Sequence, residues 1–307
     1  MIRAALLLAA LLLGGCAVQT AALRADPPAG LPPVVELTST PFFPQTDFQC
    51  GPAALATALA AAGFAVDPAQ LSAEVFVPAR AGSLQAEMLA GARRHGAVAT
   101  RIPGEMAALL REVAAGHPVV VLQNLGLSFV PLWHYAVVVG HDLPRGDLLL
   151  RSGRTEREVM PLSTFEHTWG RSGSWAFVVL APGDWPLTAR SSDAVEAAVG
   201  FERSARPAVA ARVYASAVQR WPDPPSLAIG WGNSLRAAGD TARAAEVLRA
   251  AAERHRSAPA WINLADLLLA LGRRDEAVQA ARAAVALHDA WQPQAQQALE
   301  EALQAVR

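Results

Sequence analysis

The sequence predicts an α+β domain followed by an all-α domain built from helical repeats. Helix signals dominate the chain from Gly51 to about residue 116, and Val- and Leu-rich strand signals dominate from residue 118 to residue 182. Helices that precede a run of strands are typical of an α+β domain. Beyond about residue 193 the chain is alanine-rich and repetitive, which indicates stacked helix pairs.

The composition excludes several kinds of chemistry. The 307 residues carry a formal net charge of −1, which gives no sign of a nucleic-acid partner. All 26 basic residues are arginine, so a Schiff-base lysine, a P-loop lysine and a Ser–Lys dyad are excluded. The sequence shows no clustered Cys/His spacing of the kind that binds zinc. We therefore expect neither a metal nor a cofactor.

The N-terminus has the features of a secretory signal. Arg3 precedes an apolar run that is too short to cross a bilayer. The run ends in "LGGC", which resembles the lipobox of bacterial lipoproteins. That resemblance implies a signal peptide at 1–15, a lipidated Cys16, and a Pro/Ala tether at 16–34 that lifts the protein off the membrane. Ala17 favours the outer membrane, on its periplasmic face. The alternative is an ordinary cleaved signal with an accidental cysteine.

The first domain is placed at residues 35–182 and begins with helices. The predicted helix starts are Gly51–Pro52, Asp67–Pro68, Ser83 and residue 104. A later short helix, "STFEHTW", has Ser163 and Glu166 spaced as a capping box.

Strands follow these helices. They are predicted at "PVVVLQN", "HYAVVVGHD", "DLLLRSG" and "SWAFVVLAP". The second and third strands are predicted to form a hairpin that turns at Pro144–Arg145. Residues 183–192 are predicted to be a linker.

The C-terminal domain, placed at 193–307, contains a sequence repeat. With a period of 33 residues, Gly239, Ala244 and Ala251 recur as Gly272, Ala277 and Ala284. The pattern resembles tetratricopeptide repeats, which implies an all-α tetratricopeptide-repeat domain that recruits a protein partner. An unrelated alanine-rich helical hairpin is the alternative. We also expect that deletion of the chain from about Ser191 leaves the first domain folded.

Cys50 stands directly before Gly51–Pro52, at the mouth of a predicted helix. A helix N-terminus stabilises a thiolate, so we expect Cys50 to be ionised at neutral pH. Gln45 lies just upstream and can offer its side-chain amide to an oxyanion, alongside the Cys50 N–H. A thiolate nucleophile also needs a base, for which His134 at the start of a strand is the best candidate.

The motif "PQTDFQCGPAA" followed by "HYAVVVG" resembles the papain-like cysteine peptidases that process double-glycine leader peptides of bacteriocins, and their free-standing relatives. The resemblance covers about residues 38–180. It implies a papain-like fold and a peptide or protein substrate. It also implies Cys50 as nucleophile, His134 as general base and acid, and Gln45 as oxyanion donor.

One position departs from the pattern of that family. An aspartate usually follows on the strand after the histidine, and here Ser152 stands near that place. Ser152, a backbone carbonyl or Asn124 is expected to orient the imidazole. Asp142 is not expected to orient it, because a separation of eight residues along one strand places Asp142 about 26 Å from His134.

The leading hypothesis is a lipid-anchored periplasmic cysteine peptidase. The alternative is a non-catalytic pseudopeptidase lipoprotein that acts as a binding scaffold through its repeats.

Overall fold

The structure of the chain is a computed structural model, and it describes residues 17–45 and 49–306. The described residues form two units, each assembled from separated stretches of the chain. Unit 1 comprises the described part of Met1–Gly91 with Arg101–Val179 and Pro186–Thr188, and unit 2 comprises Ala92–Thr100, Leu180–Trp185 and the described part of Ala189–Arg307. The two units alternate along the chain, whereas the sequence analysis placed one boundary at residue 182 and one linker at 183–192.

The strands belong to one sheet, and β4 lies inside it. The strands are β1 Val34–Glu36, β2 Val98–Arg101, β3 Val119–Asn124, β4 Trp133–Asp142, β5 Asp147–Ser152, β6 Thr155–Pro161 and β7 Ala176–Leu180. Their order is β2-β7-β3-β4-β5-β6, and β1 pairs with β4. The predicted hairpin is confirmed, because Asp142 pairs with Asp147 across the turn.

The helices of unit 1 surround this sheet. They are α1 Val18–Ala25, α2 Cys50–Ala61, α3 Pro68–Val75, α4 Gln85–Arg94, α5 Met106–Ala114 and α6 Leu162–Gly170, and the last residues of α4 belong to unit 2. The predicted start of α3 is confirmed: the Asp67 carboxylate accepts the Ala69 N–H at 2.9 Å. α2 packs on β4 with Leu55 and Leu59 fully buried.

The predicted tether is in part a folded helix. α1 occupies Val18–Ala25, and Thr20 and Leu23 on it are buried. Its first turn is held by Glu166, whose carboxylate oxygens accept the N–H groups of Gln19 at 2.9 Å and Thr20 at 2.7 Å. Residues 18–25 of the predicted tether therefore form a helix that is bonded to unit 1. Cys16 itself, like the predicted signal peptide at 1–15, lies outside the described residues.

Glu166 also overturns the predicted capping box. α6 begins at Leu162 with Pro161 as its N-cap residue, and no side chain caps it. The Glu166 carboxylate instead satisfies backbone donors of α1, which sequence spacing alone could not reveal. Burial raises the pKa of Glu166, but the hydrogen bonds from Thr20 and Gln19 outweigh burial and hold this pKa below its ordinary value.

A buried carboxylate holds the stretch Pro186–Thr188 within unit 1. Glu112 on α5 is fully buried. One of its oxygens accepts the Leu187 N–H at 3.1 Å, and the other accepts the Thr188 hydroxyl at 2.6 Å and the Thr188 N–H. His117 bonds the first oxygen through Nδ1 at 2.8 Å. Part of the predicted linker is thus fixed by hydrogen bonds to a helix of unit 1.

Unit 2 is largely helical. Its main helices are α7 Ser191–Glu202, α8 Pro207–Arg220, α9 Pro225–Ala237, α10 Thr241–His255, α11 Ala258–Ala270, α12 Arg274–Val285 and α13 Gln292–Val306. The repeated glycines Gly239 and Gly272 both have positive φ and end α9 and α11 in the same way. The repeated alanines are buried at the helix contacts. The all-α prediction is confirmed, while the tetratricopeptide assignment remains a prediction.

Among residues 17–45 and 49–306, we find no helix with both the length and the apolar character required to cross a bilayer.

Candidate active site

Cys50 is the first residue of α2 and carries a free thiol. The backbone N–H groups of Tyr135, Gly51 and Cys50 itself favour a negative charge on the sulfur and so act to lower the pKa of the thiol. Gly51 is required for this arrangement, since a Cβ at that position would lie 2.6 Å from Ser83 Cβ and 3.2 Å from Met88 Sδ. The helix start and strand β4 therefore meet at the thiol.

His134 is the second residue of β4, directly before Tyr135. Its Nε2 lies 2.9 Å from the Ser152 hydroxyl at the end of β5. The predicted return of Ser152 to a position beside His134 is confirmed by this contact. Asn124, the alternative, instead accepts the Gly126 and Leu132 N–H groups at 3.0 and 2.9 Å and so shapes the β3–β4 loop.

Gln45 is held beside the end of β5. Its backbone N–H donates to the Gly153 carbonyl at 3.1 Å. The buried Arg151 guanidinium donates to the Thr40 carbonyl and fixes the start of the same segment. A small pocket at this place is lined by Gln45, Cys50 and Ser152 together. Three of the predicted residues thus line one pocket, and His134 contacts one of them, Ser152.

Burial keeps both the thiol and the imidazole neutral. It raises the pKa of Cys50 above that of an ordinary thiol, although the surrounding N–H groups act in the opposite direction. It also lowers the pKa of His134, against the attraction of the Glu158 carboxylate. The pKa of Cys50 is thus shifted in the direction opposite to the one expected from the helix N-terminus, because desolvation is the larger effect.

Two contributors to the site, Tyr135 and Glu158, escaped prediction from the sequence. Tyr135 supplies a backbone N–H to the sulfur, and its hydroxyl donates to the Ser83 carbonyl at 3.2 Å. Glu158 lies on β6, a strand that was not predicted because "TEREVMP" is mostly charged and exposed. The position of Tyr135 directly after His134 was the only available signal, since a strand that presents the base also presents its next amide.

A larger cleft of about 630 Å³ opens on the other side of Cys50. Its walls combine the segment from Arg80 to Gln85 with Leu122, residues 131–133 and Tyr135. The lining is mainly apolar, and Ser83, Gln85 and Ser172 add polar groups. A cleft of this size, with one thiol at its inner edge, fits several residues of an extended peptide.

The reactivity of the thiol gives a direct test of this electrostatic state. In a Cys16→Ser chain, where Cys50 is the remaining cysteine, we expect iodoacetamide alkylation to rise with pH through a midpoint above about 8.5. The physical reason is burial, which disfavours the thiolate. The same protein unfolded in urea is the control and should show the ordinary midpoint. A midpoint for the folded protein that lies below the midpoint of the unfolded control would show that the folded structure stabilises the thiolate instead.

The close approach at Gly51 gives a second prediction. Gly51→Ala places a methyl group against Ser83, so either α2 or the segment from Arg80 to Gln85 must shift. We expect a loss of about 1–3 kcal/mol in stability, together with slower reaction of the thiol with peptide-based probes. Thermal melting and probe labelling measure the two effects. Gly63→Ala, at a positive-φ position with open space around it, separates backbone strain from this steric effect.

Within the described residues no group of three or more His, Cys, Asp or Glu side chains is arranged to hold a metal ion.

Comparison with known proteins agrees with this geometry. Residues 37–177 match the model of the Peptidase_C39 like family. The solved structures include a provisionally assigned C39-like peptidase from Bacillus anthracis with 21% identity and a TM-score of 0.41, covering 48% of this chain and 97% of that chain. A likeness at this level carries no argument about function. No curated protein matches the chain. The family match covers a little under half of the chain, and it spans Cys50, His134 and strands β2 to β6.

Proposed function

We propose that this protein is a cysteine peptidase in which Cys50 attacks the peptide carbonyl and His134 transfers the proton. One observation carries the proposal. The imidazole Nε2 is engaged by Ser152 at 2.9 Å, in the same place where Ser152, Gln45 and Cys50 line one pocket. A base held by its far nitrogen leaves Nδ1 for the thiol, which is the arrangement that nucleophilic catalysis by cysteine needs.

The reaction begins with the Cys50 thiol and the His134 imidazole both neutral. The Cys50 S–H proton passes to Nδ1 of His134 as the sulfur bonds to the carbonyl carbon. The Nε2–H of the resulting imidazolium donates to the Ser152 hydroxyl, which keeps the ring in plane. Glu158 favours this transient positive charge, since its carboxylate opposes the lowering of the His134 pKa by burial.

The developing oxyanion requires donors. The Gln45 side-chain amide and the Cys50 backbone N–H are the candidates, because Gln45 lines the pocket at the thiol. Collapse of the tetrahedral intermediate gives an acyl-enzyme on Cys50, and His134 returns its proton to the leaving amine. Water then attacks the thioester with His134 again as base, which restores the thiol and releases the acid product.

Ser152 also supports the alternative function. A hydroxyl orients an imidazole without adding the negative charge that an aspartate supplies, so it stabilises the imidazolium less. The raised pKa of Cys50 also favours the alternative function, because it lowers the fraction of reactive thiolate. A pseudopeptidase whose helical repeats bind a partner is therefore the second candidate.

Substitutions at Ser152 distinguish its role in orienting the His134 ring from the effect that a negative charge at this position would have. We expect Ser152→Ala to lower peptide turnover about tenfold with little change in melting temperature, because the ring loses its partner. Ser152→Asp is expected to raise turnover above that of the unmodified protein and to raise the pKa of His134. The pH dependence of kcat/KM measures both effects. Asp142→Ala, at the far end of β4, is the matched control and should change neither.

A covalent probe tests the peptidase proposal itself. A peptidyl vinyl sulfone should add once to the folded chain, at Cys50, as shown by intact mass and peptide mapping. His134→Ala should slow this addition by about 100-fold or more. Equal labelling of the His134→Ala variant would favour the pseudopeptidase, in which the histidine does not serve the thiol.

We further propose that Cys16 carries lipid and anchors the protein in the bacterial outer membrane on its periplasmic side. The support is the lipobox sequence. Cys16→Ser should then move the protein to the soluble fraction or leave the signal uncut. Palmitate labelling of that variant, with unchanged membrane partition, would argue against the anchor.

The repeats of unit 2 are proposed to be of the tetratricopeptide type and to recruit a protein partner. Their equivalent first helices, α9 and α11, are joined by polar pairs, with Asn263 donating to Asn233 at 3.1 Å and Arg236 paired with Asp266. This polar row is the proposed partner surface. Its test is an Asn233→Ala/Asp266→Ala variant, which should lose a cross-linked partner that the parental chain retains while keeping the reactive thiol.

A further inference from the structure

The loop between β3 and β4 exposes an unusual amount of apolar surface. We call residues 125–133, "LGLSFVPLW", the apolar hairpin. Phe129 is 81% exposed, Val130 64% and Leu127 58%, and the run from Phe129 to Trp133 is continuously exposed. Consecutive exposed apolar residues are costly unless something covers them in use.

The apolar hairpin is held in a defined shape. The Asn124 side chain accepts the N–H groups of Gly126 and Leu132, and its own amide donates to the Leu127 carbonyl at 3.3 Å. Leu127 and Val130 pair across the tip. The Arg171 guanidinium donates to the Asn124 carbonyl and fixes the base. Its apolar side chains are therefore presented outward by a built loop.

The tip is exposed and uncharged. Leu127, Phe129 and Val130 do not line the cleft at Cys50, whereas Leu132 and Trp133 at the base do. The sequence carries no charged residue between Glu112 and Asp142. A projecting uncharged tip with a tryptophan at its base suits a lipid interface, where tryptophan lies at headgroup level, better than it suits a peptide, which needs a groove.

The N-terminus of the described chain emerges near the same end of unit 1. α1 begins at Val18, and its first turn is bonded to Glu166 on α6. Arg24, at the other end of α1, lies against Gly146 in the β4–β5 turn. α1 therefore runs from the hairpin end of the sheet towards the opposite end, while Arg171, directly after α6, holds the hairpin base.

We propose that the apolar hairpin inserts into the lipid bilayer and forms a second membrane contact of unit 1. Val18, the first residue of α1, and the hairpin then lie towards the same bilayer surface. Because Leu132 and Trp133 belong to both the hairpin base and the cleft wall, the cleft opens at the membrane, and peptides lying at the lipid surface are the substrates it meets. This contact is independent of the lipid on Cys16 and is tested without it.

The experiment uses the chain from residue 16 onward with Cys16→Ser, which cannot be lipidated. We expect this protein to float with vesicles of phosphatidylethanolamine and phosphatidylglycerol. The double variant Phe129→Ser/Val130→Ser should lose about tenfold or more of its vesicle partition. Val159→Ser, an exposed apolar position on β6, is the matched control and should bind as the parent does.

A second readout locates the contact. Brominated lipids should quench tryptophan emission, and Trp133→Phe should remove most of that quenching while vesicle binding persists. Absence of vesicle binding by the parent, or equal binding by the hairpin variant, overturns the proposal. A hairpin variant that binds vesicles normally but shows a raised KM for a soluble peptide overturns it as well, and assigns the hairpin to substrate. Loss of activity alone has no bearing on it, because vesicle binding needs no catalysis.

Discussion

Replacement of Cys50 by alanine is expected to reduce peptide turnover by about 10³-fold or more, since the covalent route disappears with the sulfur. Cys50→Ser is expected to be nearly as inactive. A serine hydroxyl in the same place at the start of α2 is a far weaker acid, and the neutral Ser152 adds no charge to help His134 remove its proton. Turnover of an internally quenched peptide, selected with the unmodified protein, is the measurement.

A double variant at Cys50 and His134 tests whether the two residues act together. Groups that act as one unit are strongly non-additive, so a Cys50→Ala/His134→Ala variant should be no slower than Cys50→Ala alone. Cys16→Ser is the matched control for loss of a cysteine and should retain full turnover in detergent-free buffer. Additive losses in the double variant would show that His134 acts outside the thiol reaction, and substantial activity of Cys50→Ala would remove Cys50 from the chemistry altogether.

Replacement of Glu112 by alanine is expected to give the largest loss of stability among single substitutions in unit 1. Two backbone N–H groups, of Leu187 and Thr188, and the Thr188 hydroxyl lose a buried acceptor at once. Leaving such groups unpaired costs about 3–5 kcal/mol. The first thermal transition should fall accordingly, and protease cleavage near residues 186–188 should accelerate. Glu105→Ala, at an exposed position before the same helix, is the control.

The Glu112 carboxyl also predicts how the stability of the protein depends on pH. Burial raises the pKa of Glu112, but the bonds from His117 and Thr188 outweigh burial, and the folded-state pKa lies below the ordinary value. A lowered folded-state pKa contributes stability that is present above the unfolded value of about 4.3 and is lost as pH falls through the folded value. The difference in melting temperature between parent and Glu112→Ala should therefore narrow below about pH 4. A difference that widens in acid would contradict this assignment.

The sequence was most informative where local chemistry and function coincide. The helix start at Cys50, the Asp67 cap and the β4–β5 turn each depend on residues within a few positions, and each is confirmed. The contact between Ser152 and His134 could be anticipated because the turn position sets which residues of a hairpin face each other. The position of Gln45 at the site could be predicted only from the family resemblance. Gly153 and Arg151, whose contacts hold the segment around Gln45, lie far from it in the sequence.

The failures have a common physical origin in long-range contacts. Glu166 satisfies the amides of a helix 146 residues away, and no local spacing announces such a partner. The thiol was expected to be ionised because the helix N-terminus is visible in sequence, whereas the burial that outweighs it depends on how β4 and α2 pack. Strand β6 was missed because its outward side chains are charged and its pairing comes from β5.

The alternation of the two units along the chain has a consequence for biogenesis. Val98 belongs to unit 2 and is fully buried among residues of α7, α8 and α9, although it is synthesised about a hundred residues before them. Unit 1 in turn waits for Leu187 and Thr188 before Glu112 is satisfied. Unit 1 therefore needs the chain up to Thr188, and unit 2 needs the helices that follow Ser191. A deletion from Ser191 should keep the first domain folded, as expected from the sequence, but it should expose Val98. In a chain organised in this way, the order of synthesis and the order of folding differ, because early residues stay unpacked until late ones arrive.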